Sequence, residues 1–176
     1  MSIPIKILTY NPKYPKLFKK EKELILKSLN DSSIYVEHIG STAVPGLSGK
    51  PIIDIMIGVD SLDDVNKHVE LLKEIGYTSN PNWDDDYPEK RALDKRLNNT
   101  EIYIFIIEFN AEFWVKRLLF RDYLRDYPKV AKEYTKLKMD LAKKYQHDRE
   151  AYLKGKSKFI KEVVKKAKKK YKQYST

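Results

Sequence analysis

The chain has 176 residues, with 35 Lys and Arg against 25 Asp and Glu, a formal net charge of +10 and no cysteine. That length suits one domain with a buried core, and 41% hydrophobic with 12% aromatic residues excludes a wholly disordered chain. Disulfides, thiolate zinc sites and a cysteine nucleophile are excluded, no apolar run nears the ~20 residues of a membrane span, and MSIPIKILTY lacks the features of a secretory signal, so the expectation is a soluble cytoplasmic protein.

Pro12 and Pro15 precede apolar residues at helical spacing, Leu17, Phe18, Leu24, Ile25 and Leu29. Residues 34–40, IYVEHIG, predict a short strand ending at a glycine. A Gly/Pro loop, STAVPGLSGK, follows. Residues 51–59, PIIDIMIGV, are then apolar except at Asp54 and Gly58, the pattern of a strand covered on both faces. Asp60-Ser61 caps a helix through Leu62, Val65, Val69, Leu72 and Ile75, with Gly76 as its stop. Residues 78–100, with Pro81, Pro88 and repeated Asn and Asp, predict a loop holding a short strand near Ala92 to Leu97. Residues 101–109, EIYIFIIEF, form a third strand rich in β-branched and aromatic side chains.

From Asn110 onward the spacing is helical. Trp114, Leu118, Leu119 and Tyr123 mark one helix, and Pro128 suits the first turn of the next, with Val130, Tyr134, Leu137, Leu141 and Tyr145 on one face. A last helix, from near Asp148, carries Leu153, Ile160, Val163, Val164, Ala167 and Tyr171 on a stripe. Residues 151–176 hold ten Lys against Glu162 alone, while residues 1–150 hold 25 basic and 24 acidic side chains. Any nucleic acid would therefore be met by this Lys-rich C-terminus, whose tail, residues 166–176, is expected to fray after about residue 168. Strands with an interposed helix, then a run of helices, predict an α+β (mixed α/β) fold in one domain over 1–176, with 110–170 mainly helical.

The densest chemistry lies in residues 37–57. Three of the six glycines, Gly40, Gly46 and Gly49, fall within ten residues, and Ser41 and Thr42 follow Gly40 at a strand exit. Glycine lets backbone N–H groups approach an anion, and a hydroxyl adds a donor. Asp54 is the one carboxylate among Ile52, Ile53, Ile55 and Ile57, a costly place unless it is paired or holds a cation. Lys50, four residues upstream, is a partner for that carboxylate or for a phosphate.

The string His38-Ile39-Gly40-Ser41-Thr42-Ala43-Val44-Pro45-Gly46-Leu47, followed by Lys50-Pro51-Ile52-Ile53-Asp54-Ile55, resembles the signature of GrpB-like proteins. Phe120-Arg121-Asp122-Tyr123-Leu124-Arg125, Asp148-Arg149-Glu150-Ala151-Tyr152 and Lys158-Phe159-Ile160 extend the resemblance over about Tyr10 to Ile160. It implies the nucleotidyltransferase superfamily, a polymerase-beta-like mixed sheet flanked by helices. It further implies that the Gly40-Ser41 loop holds the phosphates of a nucleotide or phosphorylated small molecule. Asp54 and a later carboxylate, Glu108 or Glu101, would then be catalytic residues holding Mg²⁺, with Glu108 in the better register. The second acidic position of the superfamily pattern is Met56 here, and a His pair of many relatives falls on Tyr103 and Phe105. Methionine is no ligand for a hard cation, so nucleotidyl transfer and metal-free phosphate binding both stand as readings.

Arg121 and Arg125 share a helix face, either as phosphate binders or as an ion-pair network bracing the helices. Lys158 and Asp148-Arg149 read as braces of the helical half. His38 reads as a hydrogen-bonded structural residue, His68 as a helix-surface residue and His147 as lying at a helix junction. Asp84-Asp85-Asp86 reads as a solvated acidic run.

Overall fold

A computed structural model describes residues 4–63, 65–80 and 90–171. Strands β2 (Ile52–Val59) and β5 (Thr100–Glu108) run parallel, with Asp54 beside Tyr103 and Val59 beside Glu108. Antiparallel to them lie β1 (Tyr35–Ile39) on β2 and β4 (Lys90–Leu97) on β5, and β3 (Thr78–Ser79) pairs with β4. The sheet order is β1-β2-β5-β4-β3.

Strand alternation assigns each face of the central pair to a different helical layer. Ile53, Ile55 and Ile57 stand with Ile102, Ile104 and Ile106 under helices α1 (Tyr14–Leu29) and α2 (Val65–Glu74). Burying each of these isoleucines contributes about 1.5–3 kcal/mol. On the other face Met56, Phe105 and Ile107 pack under Phe113, Trp114 and Leu118 of α3 (Glu112–Asp126). Both faces are thus covered, which accounts for the unbroken apolar runs of these strands. Two further helices, α4 (Pro128–Lys144) and α5 (Arg149–Lys170), pack on α3. Val44 and Leu47, from the loop after β1, insert against Leu124, Ala131 and Tyr134 and tie that loop to the helical layer.

The mixed α/β arrangement with a helical C-terminal half agrees with the sequence reading, with two differences. β4 is a full eight-residue strand joined to β5 by Asn98 and Asn99, Asn98 lying at φ +55°. It starts two residues before the short strand expected near Ala92 to Leu97, because in KRALDKRL aliphatic Lys and Arg stems stand where Val or Ile would mark its full length. The last helix runs to Lys170, two residues past 168, where Asp126 accepts hydrogen bonds from the Lys170 ammonium at 3.1 Å and from the Tyr171 hydroxyl. Pro81, Pro88 and Asp84-Asp85-Asp86 lie outside the described residues, as does the tail beyond Tyr171. Among the described residues no helix is long and apolar enough to cross a membrane.

At Gly58 the Trp114 ring of α3 presses close on the β2 backbone. A Cβ there would stand 2.8 Å from the Trp114 ring. Gly58→Ala is expected to cost about 1–3 kcal/mol by overpacking, seen as a lower urea midpoint with an unchanged m-value.

Candidate functional site

The loop from β1 to β2 is shaped by two glycines. Gly40 has φ +73°, and a Cβ on it would lie 2.1 Å from Oδ2 of Asp54, so only glycine lets the chain cross that carboxylate. At Gly49 a Cβ would meet the Ser41 Cβ at 2.6 Å, which brings the two ends of the loop together. Thr42 is committed to structure: its hydroxyl donates to the Ile52 carbonyl at 2.8 Å. That leaves its oxygen to accept from His38 Nε2 at 2.9 Å, so Nε2 carries the proton. His38 is buried and stacks on Phe18, and burial with nearby Arg125 and Arg121 lowers its pKa to about 3, keeping it neutral. His38 is the structural histidine that the sequence suggested. His68 is not on the surface; it is largely buried and faces Asp31 at 3.4 Å.

Beside this loop lies a cavity of about 530 Å³, bordered by the sheet and by α3, α4 and α5. Gly40, Ser41, Lys50 and Asp54 line it, and the structure adds Lys90, Arg117, Lys138, Arg149 and Lys156. Six cations therefore face two carboxylates, Asp54 and Glu150. Ring faces lie beneath the cations: Lys156 stands 4.5 Å and Lys50 5.6 Å from the Tyr152 ring, Lys138 4.7 Å from Tyr134, and Arg117 4.6 Å from Phe113. Lys138 is 2% exposed and donates to Ser41 Oγ at 2.8 Å and to the Ser48 carbonyl.

Burial and mutual repulsion set the charges. Burial, reinforced by Lys156, lowers the Lys138 pKa to about 7, with Asp54 pulling the other way. Burial, Lys50 and Arg117 lower Lys156 to about 8. Burial also lowers Lys50. Asp54 is pushed up to about 6 by burial, against the pull of Arg117, Lys156, Lys50 and Lys138. A concave, partly dehydrated surface with an excess of positive charge carries a positive potential.

Several expected members are elsewhere. Glu108 is paired with Val59, five residues along β5 from Tyr103, the neighbour of Asp54. At about 3.3 Å per residue and an odd offset, it lies at the far end and on the other face of the sheet, so it shares no cation with Asp54. Glu101 is on the face of Asp54, and its carboxylate accepts from the Tyr103 hydroxyl at 2.6 Å. Met56 is fully buried under Phe113 and Trp114, a seat for an apolar side chain. Arg121 is consumed as a brace: it bonds Glu37, Asp122 and the His38 carbonyl. Arg125 donates to the Ala43 carbonyl at 2.9 Å and lines a different cavity of about 610 Å³, with Phe18, His38 and Lys132. Thr42, Arg121 and Arg125 are thus not brought to the Ser41–Asp54 cavity. Arg149, expected as a brace, also lines this cavity. Asp148 caps α5, accepting from the Ala151 amide.

Mg²⁺ is held by several oxygens in near-octahedral array. Among the described residues no three His, Asp or Glu side chains converge on a metal position. Asp54 offers one carboxylate among four cations that repel a second positive ion. That donor set does not fit a Mg²⁺ ion held by the protein alone.

The sequence reading missed Arg117, Lys138 and Lys156, although the signal was present. Lys138 is four residues after Tyr134, and Lys156 is four before Ile160, so both stand on the inward stripes of their helices. A lysine on a buried stripe marks a polar cavity beneath it.

The GrpB protein family model matches residues 4–166. The chain is 38% identical over 161 residues to glutamate-rich protein GrpB of Alkalihalophilus pseudofirmus, covering 90% of this chain and 92% of that one. It is 35% identical to protein YqkA of Bacillus subtilis over 93% of this chain, which spans 47% of that relative. The crystal structure of GrpB from Enterococcus faecalis superposes with a TM-score of 0.82 at 32% identity, over 94% of this chain and 99% of that one.

Proposed function

We propose, for a chain that belongs to the GrpB family, that the cavity beside Ser41 and Asp54 binds a nucleotide or another small molecule bearing several phosphates. The carrying observation is the lining of six cations against two carboxylates around about 530 Å³. That volume is of the size of small-molecule sites. Lysine and arginine side chains are the usual partners of phosphate oxygens, and Tyr103 adds an aromatic ring to the lining.

The nucleotidyltransferase fold is part of this proposal through Gly40, Ser41 and Asp54. The transfer chemistry is left out of it, because Met56 and Glu108 supply no second carboxylate beside Asp54. Any Mg²⁺ at the site would arrive on the phosphates of the ligand. Nucleic-acid binding through the Lys-rich end is less well supported: Lys170 is engaged by Asp126 and stands 4.5 Å from the Tyr127 ring. Such binding would fall steeply with salt.

Calorimetric titration with ATP, GTP and pyrophosphate, each with and without Mg²⁺, tests the reading. Binding that does not require Mg²⁺ is expected. Asp54→Asn is expected to tighten it by about tenfold, since it removes a negative charge facing the ligand. Loss of binding in that variant, or no heat from any of the three ligands, would sink the metal-free anion site.

A further inference from the structure

We propose that Ser41 is a nucleophile toward a phosphoric anhydride and that Lys138 is the base that takes its proton. The substrate class rests on the phosphate reading of this cavity; the residues rest on geometry.

Ser41 follows Gly40 at the strand exit and lines the cavity. Its Oγ is 2.8 Å from Lys138 Nζ, within reach for proton transfer. The other bond of Nζ goes to the Ser48 carbonyl. A neutral amine has two hydrogens and one lone pair. On losing a proton the amine keeps one hydrogen on the Ser48 carbonyl and turns its lone pair to Ser41, reversing the bond in which the charged Nζ donates to Oγ, so that it can accept the Ser41 proton. The charged groups facing Lys138 are Asp54 from β2 and Lys156 from α5. Enclosure of the amine, together with Lys156, outweighs Asp54 and lowers it to about 7, so much of it is in the base form at neutral pH.

In the step, Ser41 Oγ bonds to phosphorus, the bond from phosphorus to the bridging oxygen breaks, and the serine proton passes to Nζ. The departing phosphate leaves as an anion and needs no proton; Lys50, Arg117 and Lys156 face it. Water then replaces Oγ on phosphorus. Oγ regains its proton from Nζ; of the two protons of the water, one stays on the oxygen now bound to phosphorus and the other passes to solvent. Serine with a lysine base is an established alternative to serine with histidine.

Diisopropyl fluorophosphate tests the pair without any ligand charge. Its phosphorus takes the Ser41 oxygen, the P–F bond breaks and fluoride leaves. Peptide mapping by mass spectrometry is expected to find Ser41 labelled ahead of other serines, at a rate rising through about pH 7 as Lys138 loses its proton. Lys138→Arg keeps the charge but cannot accept a proton, and is expected to slow labelling by about tenfold or more; Ser41→Ala removes the label. Labelling spread over other serines, or a normal rate in Lys138→Arg, overturns the proposal. Should that variant fail to fold, a flat pH profile in the unmodified protein overturns it equally. Calorimetry with ATP separates the two readings: binding without labelling sinks only the nucleophile, and labelling without binding sinks only the phosphate ligand.

Discussion

Arg121→Ala is expected to lower the unfolding free energy by about 3 kcal/mol while leaving the anion affinity of the folded protein within about twofold. The Arg121 side chain is 10% exposed and joins three acceptors: Glu37 on β1, Asp122 on its own helix, and the His38 carbonyl at 2.9 Å. Removing it leaves the carbonyl and Glu37 without their donor and leaves Asp122 with Arg125 alone, at 3.4 Å. Part of the loss is recovered because the Glu37 side chain is 37% exposed and water can solvate it. Arg121→Lys is expected to recover less than half of the loss, since one ammonium cannot span acceptors arranged for a planar fork. Urea unfolding followed by titration of the folded protein checks both halves. A large fall in affinity with little change in stability would return Arg121 to the ligand.

The second large effect is on pH. Affinity for a polyphosphate is expected to fall by about a hundredfold between pH 6.5 and 9, because two charge-assisted contacts are lost at roughly tenfold each. Lys138, near 7, and Lys156, near 8, must be protonated to bind an anion at full strength, and both lose their protons in that window. The stability of the ligand-free chain moves the other way. A lysine whose folded pKa is depressed binds fewer protons when folded than when unfolded, so its contribution to stability rises with pH from the folded value towards the usual 10.5. Thermal melts with and without pyrophosphate should therefore converge as pH rises. A pH-independent gap would mean that neither lysine meets the ligand.

The strands of the central pair were legible because both of their faces are apolar, and periodicity reports burial directly. β4 was legible only in part, as a short strand near Ala92 to Leu97, because its half-polar pattern is a statement about its neighbours: Lys95 reaches Glu21 on α1, seventy-four residues away in sequence. The site divides in the same manner. Gly40, Ser41, Lys50 and Asp54 are close in sequence and were found together. Arg117, Lys138 and Lys156 converge only because three helices fold over that loop, and no local spacing encodes where helices cross. Glu108 was misplaced for a related reason. Its register against Asp54 is set by the pairing of Val59 with Glu108, a non-local fact.

The cavity is closed by α5, which carries Arg149, Tyr152 and Lys156 and is the last element of the described chain. The sheet strands, α3 and α4 are therefore synthesised before the helix that completes the cavity lining. Docking α5 then brings Lys156 towards Lys50, Arg117 and Lys138, cations already in place. The apolar contacts of Val163, Val164 and Ala167 with Leu119 and Tyr123, with the bonds of Lys170 and Tyr171 to Asp126, must overcome that repulsion in the ligand-free chain. A polyanion arriving late in folding would screen the convergence and act as a counterion for the final helix. The molecule it binds would then also help complete its fold.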